Sequence, residues 1–81
     1  MTVRMQQGVV VLEGDCPSGD AEELLQSLLF EPGASVDLRT CDWAHTAVIQ
    51  VLLAAGRDIL GPPRGMILKS IVAPALTRAR D

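Results

Sequence analysis

The 81-residue sequence predicts an α/β domain, a four-stranded mixed sheet with helices packed on it, in the order β-β-α-β-α-β-α. Three observations lead there. Val9-Val10-Val11-Leu12 is a continuous, β-branched apolar run after Gly8, the pattern of a buried strand. Two later stretches repeat apolar residues at helical spacing, one through Leu24 and Leu28, the other through Val48 and Leu52. Short apolar runs alternate with them, and strands separated by helices pair in parallel through right-handed crossovers.

Taken in order, residues 3–6 are expected as a short strand, followed by the Val9–Leu12 strand, which Gly14-Asp15 closes. Pro17 suits the first position of a helix, where its missing N–H has no partner to lose. Asp20, Glu22 and Glu23 then place negative charge at the favourable end of the helix dipole. Ala21, Leu24, Leu25, Leu28 and Leu29 form the apolar face, and Pro32-Gly33 ends the element. Residues 35–38 are the next strand. Asp42 to Thr46 lead into the second helix, whose apolar face is Ala47, Val48, Val51, Leu52, Ala55 and Ile59, and Gly61-Pro62-Pro63 stops it. Met66-Ile67-Leu68 is expected as the last strand, and Ile71, Val72, Ala75 and Leu76 as a short terminal helix.

Composition narrows the function. One domain spans residues 1–81, with a hydrophobic share of 48% that belongs to a folded chain. With one Phe, one Trp and no Tyr, the core is built from aliphatic residues. Nucleic acid is not expected as a partner, because there are few rings on which to stack bases and the net charge is −3. Arg78 and Arg80 are read as solvated terminal charges. The longest apolar stretch, from Ala47 to Ala55, is interrupted by Gln50 and falls well short of the ~20 residues of a membrane span. No basic-then-apolar leader is present, so the expected compartment is the cytoplasm and Cys16 and Cys41 are expected as reduced thiols. A disulfide between them requires a fold that brings them together. Two cysteines and one histidine lack the usual zinc spacing, and no Gly-rich phosphate loop or other cofactor motif is present.

Two stretches carry a resemblance. Leu12-Glu13-Gly14-Asp15 runs into Asp20-Ala21-Glu22-Glu23-Leu24-Leu25. Val36-Asp37-Leu38 precedes Trp43-Ala44-His45-Thr46-Ala47-Val48-Ile49-Gln50-Val51-Leu52-Leu53. Both resemble the STAS domain, the fold of bacterial anti-sigma-factor antagonists, over residues 3–76. The family pattern at the second stretch is a strand with Asp-Leu, a short loop, then Asp-Ser/Thr-Ser/Ala-Gly and a Leu-rich helix. The resemblance implies a non-catalytic interaction module. It makes Thr46 the counterpart of the hydroxyl that a partner kinase phosphorylates in the sigma-regulatory members. A helix N-terminus tolerates phosphate, since its free N–H groups and dipole favour negative charge. This sequence departs from the pattern twice: the Asp is His45 and the Gly is Val48.

On a helical wheel Thr46, Gln50, Leu53 and Arg57 fall along one stripe with Ile49 beside it, the expected partner-binding surface. Leu53 and Ile49 are equally consistent with packing under a neighbouring loop, and Thr46 with a helix-capping hydroxyl. Trp43 is expected to plug the core ahead of the helix, and Asp37 to find a backbone donor or the solvent. The implied partner is another protein: an anti-sigma factor or kinase, a signalling complex, or the ATPase of a lipid-transport ABC complex. Self-association as a homodimer stays open. From a different class, Cys41 and His45 would have to meet in a pocket to act as a thiol–imidazole enzyme.

Overall fold

The computed structural model describes residues 2–72 and Pro74. It is an α/β structure with a four-stranded mixed sheet, β1 (Val3–Gln6), β2 (Val9–Cys16), β3 (Ser35–Ala44) and β4 (Ile59–Leu60), in spatial order β1-β2-β3-β4. β1 and β2 form an antiparallel hairpin, with Val3 opposite Leu12 and Gln6 opposite Val9. The two turn residues, Gln7 (φ 50°) and Gly8 (φ 79°), are both left-handed, as a two-residue hairpin loop that follows the strand twist requires. β2 pairs with β3, and β3 with β4, in parallel. Helix α1 (Asp20–Phe30) makes the first crossover and α2 (Thr46–Ala55) the second. α1 lies on β1 and β2 and packs against α2.

The core lies between the sheet and the helices. Val3, Val10, Leu12 and Cys16 enter it from β1 and β2, and Val36, Leu38, Cys41 and Ala44 from β3. Leu24 and Leu28 of α1, Val48 and Leu52 of α2, and Leu68 complete it. Each large side chain buried there contributes roughly 1.5–3 kcal/mol. The ion pairs Arg4–Glu13 and Arg64–Asp42 are open to solvent and add little by comparison, and in Arg39–Asp37 the arginine is exposed while the carboxylate is mostly covered. Val11 is buried on the opposite face of the sheet, across from Asp37.

Several boundaries differ from the sequence expectation. β2 does not close at Gly14-Asp15 but runs on to Cys16. Pro17 precedes α1 instead of opening it: its carbonyl accepts the Asp20 N–H in the turn before the helix. β3 continues six residues past Leu38 because it is bulged twice, once at Leu38-Arg39 and again around Asp42. Each bulge places two successive residues against one on β2 and breaks the alternation that marks a strand. α2 ends at Ala55, where Gly56 (φ 60°) takes the left-handed cap and its N–H returns to the Leu52 carbonyl. Ile59 therefore belongs to β4 and not to α2, and pairs with Val36. Met66-Ile67-Leu68 is not a strand. Met66 and Ile67 are helical and exposed, and Leu68 begins a π-helical turn, Leu68–Val72, with its own side chain in the core. Ile71 and Val72 lie in that turn, whereas the expected helix positions Ala75 and Leu76 fall outside the described residues. Among the described residues no helix is long and apolar enough to cross a membrane.

Candidate docking surface at the start of the second helix

The surface is built where β3 hands over to α2. The His45 N–H donates to the Cys16 carbonyl at 2.8 Å, which ties the start of the helix to the end of β2. His45 then turns extended (φ −60°, ψ 151°), and its Nδ1 accepts the Ala47 N–H at 3.0 Å. Its carbonyl takes the N–H groups of Val48 and Ile49. His45 is thus the N-cap, and Thr46, expected as the capping hydroxyl, is the first helical residue and is exposed. The imidazole performs the acceptor role that a carboxylate performs at other helix starts. Replacing His45 by Ala is expected to cost about 1 kcal/mol and His45→Asp to restore it, read as the midpoint of urea unfolding.

Trp43 does not plug the core. It pairs with Asp15 on the outer face of the sheet, is 42% exposed, and meets the His45 ring edge-on at 6.3 Å. Along α2, Thr46, Gln50 and Leu53 are all exposed, Leu53 at 38%. Trp43 and His45 are exposed together ahead of the helix, and Thr46, Gln50 and Leu53 are exposed along it. Ile49 and Arg57, the other residues expected there, are used inside the molecule, and Val48 is buried as expected of the apolar face of α2. The bulk of Val48 fills the core beneath the helix. Ile49 is partly buried against that core. Arg57 lies beyond the end of α2, and its guanidinium donates to three carbonyls: Glu31 and Ala34 through Nη1, each at 3.0 Å, and Leu28 through Nη2 at 2.8 Å. In an unbroken helix the donor to the Leu28 carbonyl would be residue 32, a proline with no N–H. Arg57 supplies the missing donor and sets positive charge at the C-terminal end of α1.

Sequence reasoning missed a second apolar surface. Of the five residues expected on the α1 face, Leu24 and Leu28 are buried and Ala21 is partly buried against the core, whereas Leu25 is 45% and Leu29 71% exposed, and Phe30 next to them is 82% exposed. The stripe is wider than the core can take. Leu25 and Leu29, with Gln50, Val51 and Ala54, line a groove of about 370 Å3 between α1 and α2. Its signal in the sequence is the pair of adjacent leucines at both 24-25 and 28-29.

Cys41 and His45 do not meet as a catalytic pair. Cys41 is fully buried and directs its thiol to the Trp43 carbonyl at 3.5 Å, while His45 is exposed with Nδ1 engaged in the cap. The thiol that Cys41 does meet is Cys16, at 4.0 Å. Asp37 finds the backbone donor expected of it, the Arg39 N–H at 2.9 Å, and the Arg39 guanidinium grips both carboxylate oxygens. That side-chain hydrogen bond holds Asp37 below the usual carboxylate range. Among the described residues no cluster of three His, Cys, Asp or Glu side chains could hold a metal ion. No protein-family model, curated protein or solved structure matches the chain.

Proposed function

We propose that the chain is a non-catalytic, STAS-like docking module that presents the start of α2 to a partner protein. One observation carries the reading: Thr46, Gln50 and Leu53 line up exposed on a helix whose first turn is anchored to β2 through His45. A pre-positioned helix start, with Trp43 exposed against the capping His45 and Leu53 exposed further along the helix, provides the apolar area and fixed orientation that a protein interface uses. The first turn of α2 holds no acidic residue. A phosphoryl group on Thr46 would add about −1.5 to −2 charges there, facing the free N–H groups, and would reverse the electrostatic character of the surface.

The partner proposed first is an anti-sigma factor with kinase activity, acting on Thr46. The second reading, a subunit of a lipid-transport ABC ATPase complex using the same surface without a phosphorylation cycle, draws support from His45. The carboxylate of the phosphorylation motif is replaced by a ring committed to the cap. Affinity capture with the wild-type chain, Thr46→Glu and Leu53→Ala tests the surface. Both variants are expected to keep the wild-type circular dichroism and to lose a partner at least tenfold. Undiminished capture of every partner by both variants would remove this surface from consideration. Retention of an ATPase and not of a kinase selects the second reading.

A further inference from the structure

The two cysteines are 25 residues apart in sequence and come together through the register of β2 and β3. Val11 pairs with Asp37; an unbroken register from there would set Cys41 opposite Asp15, on the exposed face. The first bulge of β3 shifts the pairing so that Cys41 lies opposite Gly14 and turns inward, on the same face as Cys16. Both residues are free thiols with no exposed surface, and their sulfurs are 4.0 Å apart. No role in docking draws on either of them.

We propose that Cys16 and Cys41 are an oxidation site, a thiol pair that closes to an intramolecular disulfide on reaction with a small-molecule disulfide such as oxidised glutathione. A disulfide bond is ~2.05 Å long, so the sulfurs approach by about 2 Å. The hydrogen bond between the thiols lowers Cys41 from its ordinary value, whereas the same bond, followed by burial, pushes Cys16 up. The Gly65 N–H on the Cys41 carbonyl also places Cys41, and not Cys16, next to the segment that an oxidant must pass, so Cys41 is assigned as the first nucleophile. Its thiolate attacks one sulfur of the oxidant, the oxidant's S–S bond breaks, and one glutathione thiolate leaves and takes up the proton that Cys41 lost. The Cys16 sulfur then attacks the Cys41 sulfur of the mixed disulfide, forming the Cys16–Cys41 bond and releasing the second glutathione with the Cys16 proton. The protein loses two electrons and two protons, and the oxidant becomes two thiols.

Access is controlled by the segment from Arg64 to Leu68. Its Gly65 N–H donates to the Cys41 carbonyl, its Arg64 grips the Asp42 carboxylate, and its Leu68 enters the core. The oxidant reaches the pair through opening of that segment, without global unfolding. In the test, the reduced full chain is incubated with oxidised glutathione under native conditions, quenched with N-ethylmaleimide in denaturant and digested with trypsin. Cleavage after Arg39 separates the two cysteines. The expected product is peptide 5–39 joined to peptide 40–57, free of N-ethylmaleimide and released by dithiothreitol. Alkylation of both cysteines, or adducts of glutathione that never resolve, overturns the proposal, as does a disulfide that forms only in denaturant. Early quenching of the wild-type reaction is expected to trap glutathione on Cys41 in peptide 40–57, and its appearance on Cys16 instead overturns the order of attack. Arg64→Ala is expected to speed the wild-type reaction severalfold, and an unchanged rate overturns the role of the segment.

Discussion

Gly65→Ala is expected to detach the segment that closes the end of β3 and to lower stability by about 3 kcal/mol. A Cβ at position 65 would lie 1.7 Å from the Asp42 carbonyl oxygen and 2.5 Å from its carbon. Both are backbone atoms in a strand that is paired on its other side with β2, so no side chain can swing away to make room. The segment must lift. The size of the effect is then set by what the segment loses on lifting: burial of Leu68, roughly 1.5–3 kcal/mol, and the Gly65–Cys41 backbone hydrogen bond, about 1 kcal/mol. The sheet and the two crossover helices are expected to survive. Urea unfolding followed by circular dichroism reads the loss. Amide exchange reads its location, with protection falling at Gly65 and Lys69 and persisting in β2. Uniform loss of protection across the sheet would show that the segment is part of the global unit and not a separate cover.

Replacing Arg57 by Ala is expected to cost about 3 kcal/mol, the scale of several charge-assisted hydrogen bonds lost together. The Leu28 carbonyl would be left with no donor from its own helix, because residue 32 is proline, whereas the Glu31 carbonyl keeps the Ala34 N–H. Arg57→Lys is expected to recover only part of the loss. A lysine ammonium keeps the charge at the end of α1 but cannot span three carbonyls with a planar fork. Midpoints of thermal or urea unfolding separate the three proteins. Equal stability of Arg57→Lys and the wild type would mean that charge alone, and not the fork, holds the end of the helix.

How much could be read from the sequence follows the periodicity. Val9 to Leu12, the leucines of α1 and the Val48–Leu52 face of α2 carry a clean pattern, and the four-stranded mixed sheet with its helices follows from their order. The pattern fails where the backbone departs from regular pairing. Arg39-Thr40 and Asp42-Trp43 read as a loop because bulges turn consecutive side chains outward, yet the chain there is still a strand. Ile59 continues the helical spacing of Ala55, but Gly56 ends the helix first. Met66-Ile67-Leu68 looks like a buried strand by composition, and only Leu68 is inward. On α2, helical spacing is enough to place Thr46, Gln50 and Leu53 along one exposed stripe. It could not reveal that Arg57 answers Pro32, or that Cys41 faces Cys16, because both depend on register between segments that are distant in the chain.

The shortness of β4 has a consequence for how the protein meets copies of itself. Ten residues of β3 are flanked on their outer side by only two of β4. Without a cover, the far half of β3 would present a row of unpaired N–H and C=O groups, a template onto which any extended chain could add as a further strand. Gly65 occupies one of those groups with its own N–H and lies against the Asp42 backbone too closely to admit even a methyl group. A single glycine, placed where nothing larger fits, thereby guards one border of the sheet against edge-to-edge growth. The crowded crystal-like order of a fibril would have to begin by prising it away.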